Sequence, residues 1–317
     1  MGKDKTVLVT GASGFIAEYV IDELCKKGYK VIGIDKDFTN HKTIQKLDSF
    51  HHFDMVFSEK SYEAIKKVIL TIKPEYVIHL ASQVDVKFSQ EDPEKDLINN
   101  VMSTLNLLRA CKEARVVERI VFSSSASVYG DKINPSETSG LDPISNYGRS
   151  KVACEMYIKG YGIPYTIFRF SNVYGAGKSN GVIPRIINSM WYQEYFNFYG
   201  GGSQTRDFIF VEDLAQDLVK SLEFSNFRNK IVNLSSNLGS SITAVYYLIH
   251  QIMQEMGYTG ERKMKHLEPI KGDIKTSILD NTELQMLFQE NGYHATHTPL
   301  KTGITKMIAT MQSQKKL

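Results

Sequence analysis

The sequence of 317 residues contains three cysteines, eight prolines and one tryptophan, and these scarcities exclude several classes of protein. Cys25, Cys111 and Cys154 are odd in number and widely spaced, which fits neither a disulfide framework nor a zinc site and points to a reducing, cytoplasmic setting. No group of His, Cys and carboxylate residues has ligand spacing, so no metal is expected. His51-His52 is expected at a solvated strand edge. No stretch approaches the about 18 apolar residues of a membrane span. A strand-like Val7-Leu8-Val9 comes too early to leave room for a secretory leader. An excess of one charge is also missing: 38 basic and 35 acidic residues leave a net +3, scattered, which gives no reason to expect a nucleic-acid surface.

What is present is an ordinary globular composition, 42% hydrophobic and 23% charged. The first half alternates short apolar runs with helical periodicity. Runs at 6–10, 30–35, 50–56, 76–80 and 116–123 predict strands; 15–27, 58–72 and a long stretch from Pro93 to Ala114 predict helices. That alternation implies a parallel sheet covered on both faces, with right-handed crossovers. The second half is less regular, with a strand at 163–170, helices near 211–223 and 240–256, and few other strands. The expected fold class is therefore α/β, a doubly wound parallel sheet of Rossmann type with a smaller mixed α/β C-terminal substrate domain. Residues 1–177 would form the dinucleotide domain, with 206–235 packing back onto it. Residues 178–205 and 236–317 would form the substrate domain.

After the first strand comes Gly11-Ala12-Ser13-Gly14-Phe15-Ile16-Ala17. Glycines at this turn let the backbone approach a pyrophosphate, and the following helix directs free N–H groups at it. Asp35, ending the second strand, suits a ribose diol and repels a 2′-phosphate, favouring NAD over NADP. Asp54, with Met55 beside it, could receive the adenine amino group, and Leu80-Ala81-Ser82 follows the fourth strand at the same sheet edge.

The fifth strand ends in Ser-Ser-Ser-Ala-Ser-Val-Tyr-Gly, residues 123–130, and Asn-Tyr-Gly-Arg-Ser-Lys follows at 146–151. Tyr147 and Lys151 are four apart and share one helix face. An ammonium beside a phenol stabilises the phenolate, and oxidised nicotinamide adds a second positive charge nearby, so with the cofactor bound a lowered phenol pKa and a base working near neutrality are expected. A hydroxyl from the serine strand could hold the substrate oxygen.

At this point the chain resembles the extended short-chain dehydrogenase/reductases, and within them nucleotide-sugar epimerases of the UDP-glucose 4-epimerase type. The resemblance rests on "TGASGFIA", "VIHLAS", "NNVMSTLNLL", "FSSSASVYG", "NYGRSK", "RFSNVYG" and "GGGSQTRDFIFVEDLA", which run in family order along nearly the whole chain. It implies Ser125 as the catalytic hydroxyl, Tyr147 as the base and Lys151 as its partner and as a ligand of the nicotinamide ribose. It implies Asn100 and Ser123 on the cofactor side. It implies Asn172, Val182, Arg206 and Lys271 on the side of a nucleotide-diphosphate sugar, with Ser125 and Tyr147 also touching that substrate. The implied reaction is transient oxidation at sugar C4 by hydride transfer to bound NAD and re-reduction from the other face. The implied assembly is a homodimer paired through helices near 93–114 and 146–160.

Three departures refine this. The third glycine of the turn is Ala17, a tolerated variant. The arginine that the family often places two residues before a late Gly-Asp pair is Ile270 here, with Lys271 next to it. Ser277 falls where a residue gates N-acetylated sugars, and its small size would admit a larger C2 group. Sugar-nucleotide 4,6-dehydratases carry a carboxylate immediately before Val-Tyr-Gly; the positions here are Ala126 and Ser127, which cannot do that acid-base work. A nucleotide-keto-sugar reductase or dehydrogenase on the same scaffold stays open as an alternative, and the dehydratase as a more distant one.

Overall fold

The structure is a computed structural model that describes residues 5–56, 58–269 and 274–314. Seven parallel strands form its main sheet: β1 Thr6–Thr10, β2 Lys30–Asp35, β3 Ser49–His52, β4 Tyr76–His79, β5 Arg119–Ser125, β6 Tyr165–Phe170 and β10 Lys230–Leu234. Their spatial order is β10-β6-β5-β4-β1-β2-β3. The order reverses between β1 and β4, which opens a crevice at their carboxyl ends.

Alternate residues of each strand feed two cores, as a sheet buried on both faces requires. Val7, Val9, Val31, Ile78, Val121, Phe168 and Val232 face helices Phe15–Lys26, Val211–Ser221 and Thr282–Gln289. Leu8, Ile32, Ile34, Val77, Ile120, Phe122 and Ile167 face helices Glu59–Ile72, Ser103–Ala114 and Asn146–Gly160. The helix boundaries follow local chemistry. The Ser58 side chain accepts from Ser61 N at 3.0 Å, and Asp92 accepts from Lys95 N at 3.0 Å just before Pro93. Ser145 accepts from Gly148 N at 3.0 Å and opens the helix that carries Tyr147.

The doubly wound α/β expectation is met. The long helix predicted from Pro93 is present, but it is interrupted by a π turn at Ile98–Met102 that no periodicity announced. The third strand is shorter than read, so Asp54 lies beyond it. His52 is exposed on that edge strand, whereas His51 is half-buried.

A second, smaller sheet holds β7 Asn172–Tyr174, β9 Thr205–Phe210, β11 Gly239–Ser241 and β13 Thr276–Ser277. β8 Phe196–Tyr199 pairs with β12 Met264–Leu267. A third core gathers Ile183, Ile187, Phe196, Phe198, Tyr246, Ile249 and Ile308 from this part of the chain. Residues 211–221 and 230–234 lie on the main sheet, but Thr205–Phe210 belongs to the small one. Leu284, Leu287 and Phe288 pack into the main-sheet core, although they come from the segment expected to serve substrate. No helix among the described residues is long and apolar enough to cross a membrane.

One clasp ties the C-terminal segment to helix Val211–Ser221. His297 Nε2 lies 2.8 Å from Asp217 Oδ2, and Thr298 N donates to Asp213 at 2.6 Å. Burial opposes protonation of His297, but the hydrogen bond and charge of Asp217 outweigh it and hold the imidazole pKa above its ordinary value. A raised folded pKa stabilises fully below the unfolded value of about 6.5 and is lost as pH rises through the folded one. Thermal melts should therefore show a Tm that declines as pH rises from 6 through 8. His297→Gln should be less stable at the acid end and should flatten that slope; an unchanged slope would exclude the clasp as its source.

Candidate active site

The crevice begins at Gly11. Its φ of 71° is open only to glycine at low cost, and a Cβ there would stand 2.7 Å from Ala81 N. Gly11 N and Ala12 N both donate to Ile34 O, which fastens the turn to β2. Asp35 spans the same junction: Oδ2 accepts from Ser13 N at 2.8 Å and Oδ1 from Asp37 N at 3.0 Å. A cavity lies over this turn, lined by Gly11, Asp35, Asp54, Met55, Ala81, Ser82 and others. Phe15 lies beside Gly175 and Gly177, and Ile16 packs on the main core with Leu80. A turn with glycine at its first and last positions, a helix start and an acid at the neighbouring strand end fit the pyrophosphate and diol of NAD.

Asn100 sits in the π turn and joins three elements. Its Oδ1 accepts from Ser82 Oγ at 2.9 Å and Gln83 N at 2.8 Å. Its Nδ2 donates to Ser150 Oγ and Asp96 Oδ1, both at 3.1 Å. Asn100 thus holds the loop after β4 against the helix that carries Tyr147. Asp96 was not foreseen; burial raises its pKa, opposed by hydrogen bonds from Ser150 and Gln83. The signal was available, an Asp four residues before Asn100 on a helix opened by Pro93.

His79, ending β4, is also buried. Its ring lies 2.6 Å from Thr10 Oγ1 and 3.0 Å from Thr104 Oγ1, and burial drives its pKa down to about 3, with the Lys151 charge adding to the shift. It is a neutral spacer between β1 and the long helix.

The serine strand meets Tyr147 and Lys151 at the same edge. Ser123 Oγ donates to His79 O at 3.0 Å, and Lys151 Nζ donates to Ser123 O at 2.8 Å. Ser125 Oγ accepts from Ser127 N and donates to Ser127 Oγ, both at 3.2 Å, and lies near enough to the Tyr147 phenol to favour its ionisation. Gly148 allows this closeness, since a Cβ on it would lie 2.6 Å from Ser127 O. Lys151 Nζ stands 5.7 Å from the Tyr147 ring centroid and 4.8 Å from that of Phe122. In the protein alone the Tyr147 phenol is pushed up to about 12, because burial outweighs the favourable Ser125 hydroxyl. The lowering expected with oxidised nicotinamide beside the phenol has to overcome this burial, since the Lys151 ammonium is spent on a carbonyl. Burial also brings Lys151 down to about 8.

The small sheet holds Asn172, Arg206 and Ser277, three of the residues expected on the substrate side. Asn172 on β7 donates to Asp207 O at 3.2 Å, and Arg206 on β9 stands opposite Ser277 on β13. Val182 opens helix Val182–Trp191 and packs on the third core. Lys271 and Ile270 lie outside the described residues. No metal-binding group of His, Cys, Asp or Glu occurs among the described residues.

A dinucleotide crevice facing a Ser, Tyr and Lys constellation defines an NAD-dependent oxidoreductase-type site on a doubly wound sheet. The profile of the NAD dependent epimerase/dehydratase family matches residues 7–235, and the chain belongs to that family. It is similar to a UDP-glucose 4-epimerase of Thermotoga maritima, solved with UDP-glucose, at 28% identity and a TM-score of 0.86, covering 98% of this chain and 99% of that one. It is similar to a UDP-N-acetylglucosamine 4-epimerase of Methanobrevibacter ruminantium, in complex with UDP-N-acetylmuramic acid, at 27% identity and a TM-score of 0.84, covering 98% and 99%. It also matches the dTDP-D-glucose 4,6-dehydratase of Homo sapiens at 29% identity over 97% of this chain and 90% of that protein.

Gly11→Ala should remove cofactor binding from an otherwise folded protein. Left-handed backbone alone costs a residue with a Cβ about 1–2 kcal/mol, and the contact with Ala81 adds to it. NAD content of the purified variant, read by release on denaturation, should fall by at least about tenfold; wild-type content would mean that the dinucleotide lies elsewhere.

Proposed function

We propose that the protein is a nucleotide-sugar 4-epimerase that oxidises and re-reduces one sugar carbon. The observation that carries this reading is the serine turn: the Ser125 hydroxyl stands close enough to the Tyr147 phenol to favour its ionisation, and the two positions after it, Ala126 and Ser127, bear no carboxylate. When bound, the oxidised nicotinamide supplies the carbon that takes up and returns the hydride, together with a positive charge near the phenol. Tyr147 Oη takes the proton of the C4 hydroxyl and gives it back. Ser125 Oγ holds the same oxygen during the exchange. Lys151, fixed on Ser123 O, supplies a fixed positive charge that favours the phenolate. Arg206 and Asn172 hold the diphosphate, with Val182 on the same side and Lys271 as a second cation. The small Ser277 leaves room for a substituted C2. UDP, carried by the solved relatives' ligands, is the first nucleotide to test.

A dehydratase needs an acid for carbons beyond the oxidised one. The nearby carboxylates are engaged: Asp96 accepts from Gln83 and Asn100, and Glu155 is paired with Arg169. A net reductase would change the cofactor stoichiometrically. Incubation with UDP-glucose, UDP-glucuronate, UDP-N-acetylglucosamine and the GDP-, CDP- and dTDP-hexoses, followed by proton NMR, should yield a C4 epimer without accumulation of NADH. Steady NADH formation would replace the epimerase with a dehydrogenase. Tyr147→Phe should lower kcat by about 10²–10⁴-fold.

We further infer a homodimer joined through the helices at 93–114 and 146–160, which expose Leu97, Met156 and Tyr157. Light scattering should give the mass of two chains, and a monomer would exclude that pairing.

A further inference from the structure

The last part of β5 is an overhang. β4 accompanies β5 only as far as the pair His79↔Phe122, whereas β6 continues to Ser125↔Phe170. Ser123, Ser124 and Ser125 therefore have sheet on one side only. Besides the Ser123 hydroxyl's bond to His79 O and the Ser125–Ser127 contact, the constraints come from helix Asn146–Gly160, whose Tyr147, Lys151 and Glu155 are spaced by four and form one stripe. Tyr147 meets Ser125, Lys151 meets Ser123 O, and Glu155 Oε1 accepts from Ser124 Oγ at 2.5 Å.

Glu155 is fully buried and is held by a buried guanidinium. Arg169 Nε donates to Oε1 at 3.0 Å and Nη2 to Oε2 at 2.7 Å, a bidentate pair on the strand residue that lies opposite Ser124. The remaining Arg169 nitrogen, Nη1, donates to Tyr129 OH at 2.8 Å. Tyr129 in turn donates to Asn233 Oδ1 at 2.7 Å, and Asn233 Nδ2 donates to Asp280 O at 2.8 Å. The chain of bonds runs from the serine overhang to the segment that follows Ser277.

We propose that Ser124 and Glu155 are positioning residues: the buried Glu155–Arg169 pair holds Ser124 by its hydroxyl and so fixes the pitch at which β5 presents Ser125 to Tyr147. The proposal rests on the epimerase reading for its assay. Arg169 already satisfies both carboxylate oxygens, so the Ser124 hydroxyl is not required to neutralise Glu155; its effect falls on the strand. A misplacement of about 1 Å at a reacting group can cost on the order of 10²-fold.

The test is Ser124→Ala, which deletes one oxygen, assayed beside wild type for kcat, KM and Tm. The expected result is a kcat lowered by about 10–100-fold with KM within about twofold, in a protein whose melt stays cooperative. Ser124→Cys, which keeps a weaker donor of similar shape, should fall between the two. Wild-type kcat in Ser124→Ala, whatever its Tm, overturns the proposal, as does a raised KM at unchanged kcat. If Ser124→Ala does not fold, the cysteine variant decides alone, lowered kcat supporting the positioning role and wild-type kcat removing it. Wild-type protein that epimerises no sugar in the panel defeats the functional reading; wild-type turnover with an indifferent Ser124 defeats only this one.

Discussion

Lys151 is 2% exposed, and its ammonium meets the protein through one carbonyl, Ser123 O, and through the faces of Phe122 and Tyr147. An ammonium withdrawn from water this far is costly unless the surroundings return the lost solvation. That requirement disciplines the site around it. The carbonyl has to be free, which it is because β5 runs past the end of β4. The helix must sit close, which Gly148 permits by offering no Cβ to Ser127 O. The neighbouring His79 must stay neutral, and burial between two threonines keeps it so.

The same helix treats its two chemical ends differently. At Tyr147 it buries a phenol whose loss of water outweighs the groups around it, leaving it a poor acid in the protein alone. At Glu155 it buries a carboxylate fully matched by Arg169. Breaking one partner of such a pair costs about 3–5 kcal/mol, because the other charge is stranded. The matched end is therefore rigid, and the unmatched end is left responsive to whatever charge enters the crevice.

Much of this was legible in the sequence. Gly11, Asp35 and the Tyr147–Lys151 spacing are local signals, and the sheet brings them to one edge as strand alternation implies. What escaped depends on contacts between distant segments. The π turn at Ile98–Met102 has no compositional mark; it turns on the carbonyl of Asn100, which accepts from Thr104 at 2.6 Å and from Cys154 at 3.4 Å. The burial of the Tyr147 phenol was not legible because spacing reveals that two groups are neighbours and not how much water they lose. The role of Ser124 was not legible because its partner, Glu155, is 31 residues away in sequence. β9 was taken with the main sheet's return segment, yet its partners are set by Asp207, which gathers the amides of Ser236, Asn237 and Leu279.

The strand order also bears on how the chain is made. β6 is complete at Phe170, but the strand that covers its outer edge, β10, is not synthesised until Leu234. At about 5–20 residues per second, a growing chain waits several seconds with that edge open. Its residues Ile167, Phe168 and Phe170 are apolar, and an unpaired apolar edge recruits other strands. The nascent protein thus passes through a sticky interval during translation. The ion pair that Arg169 makes with Glu155 can form before that interval ends, since both residues have already emerged.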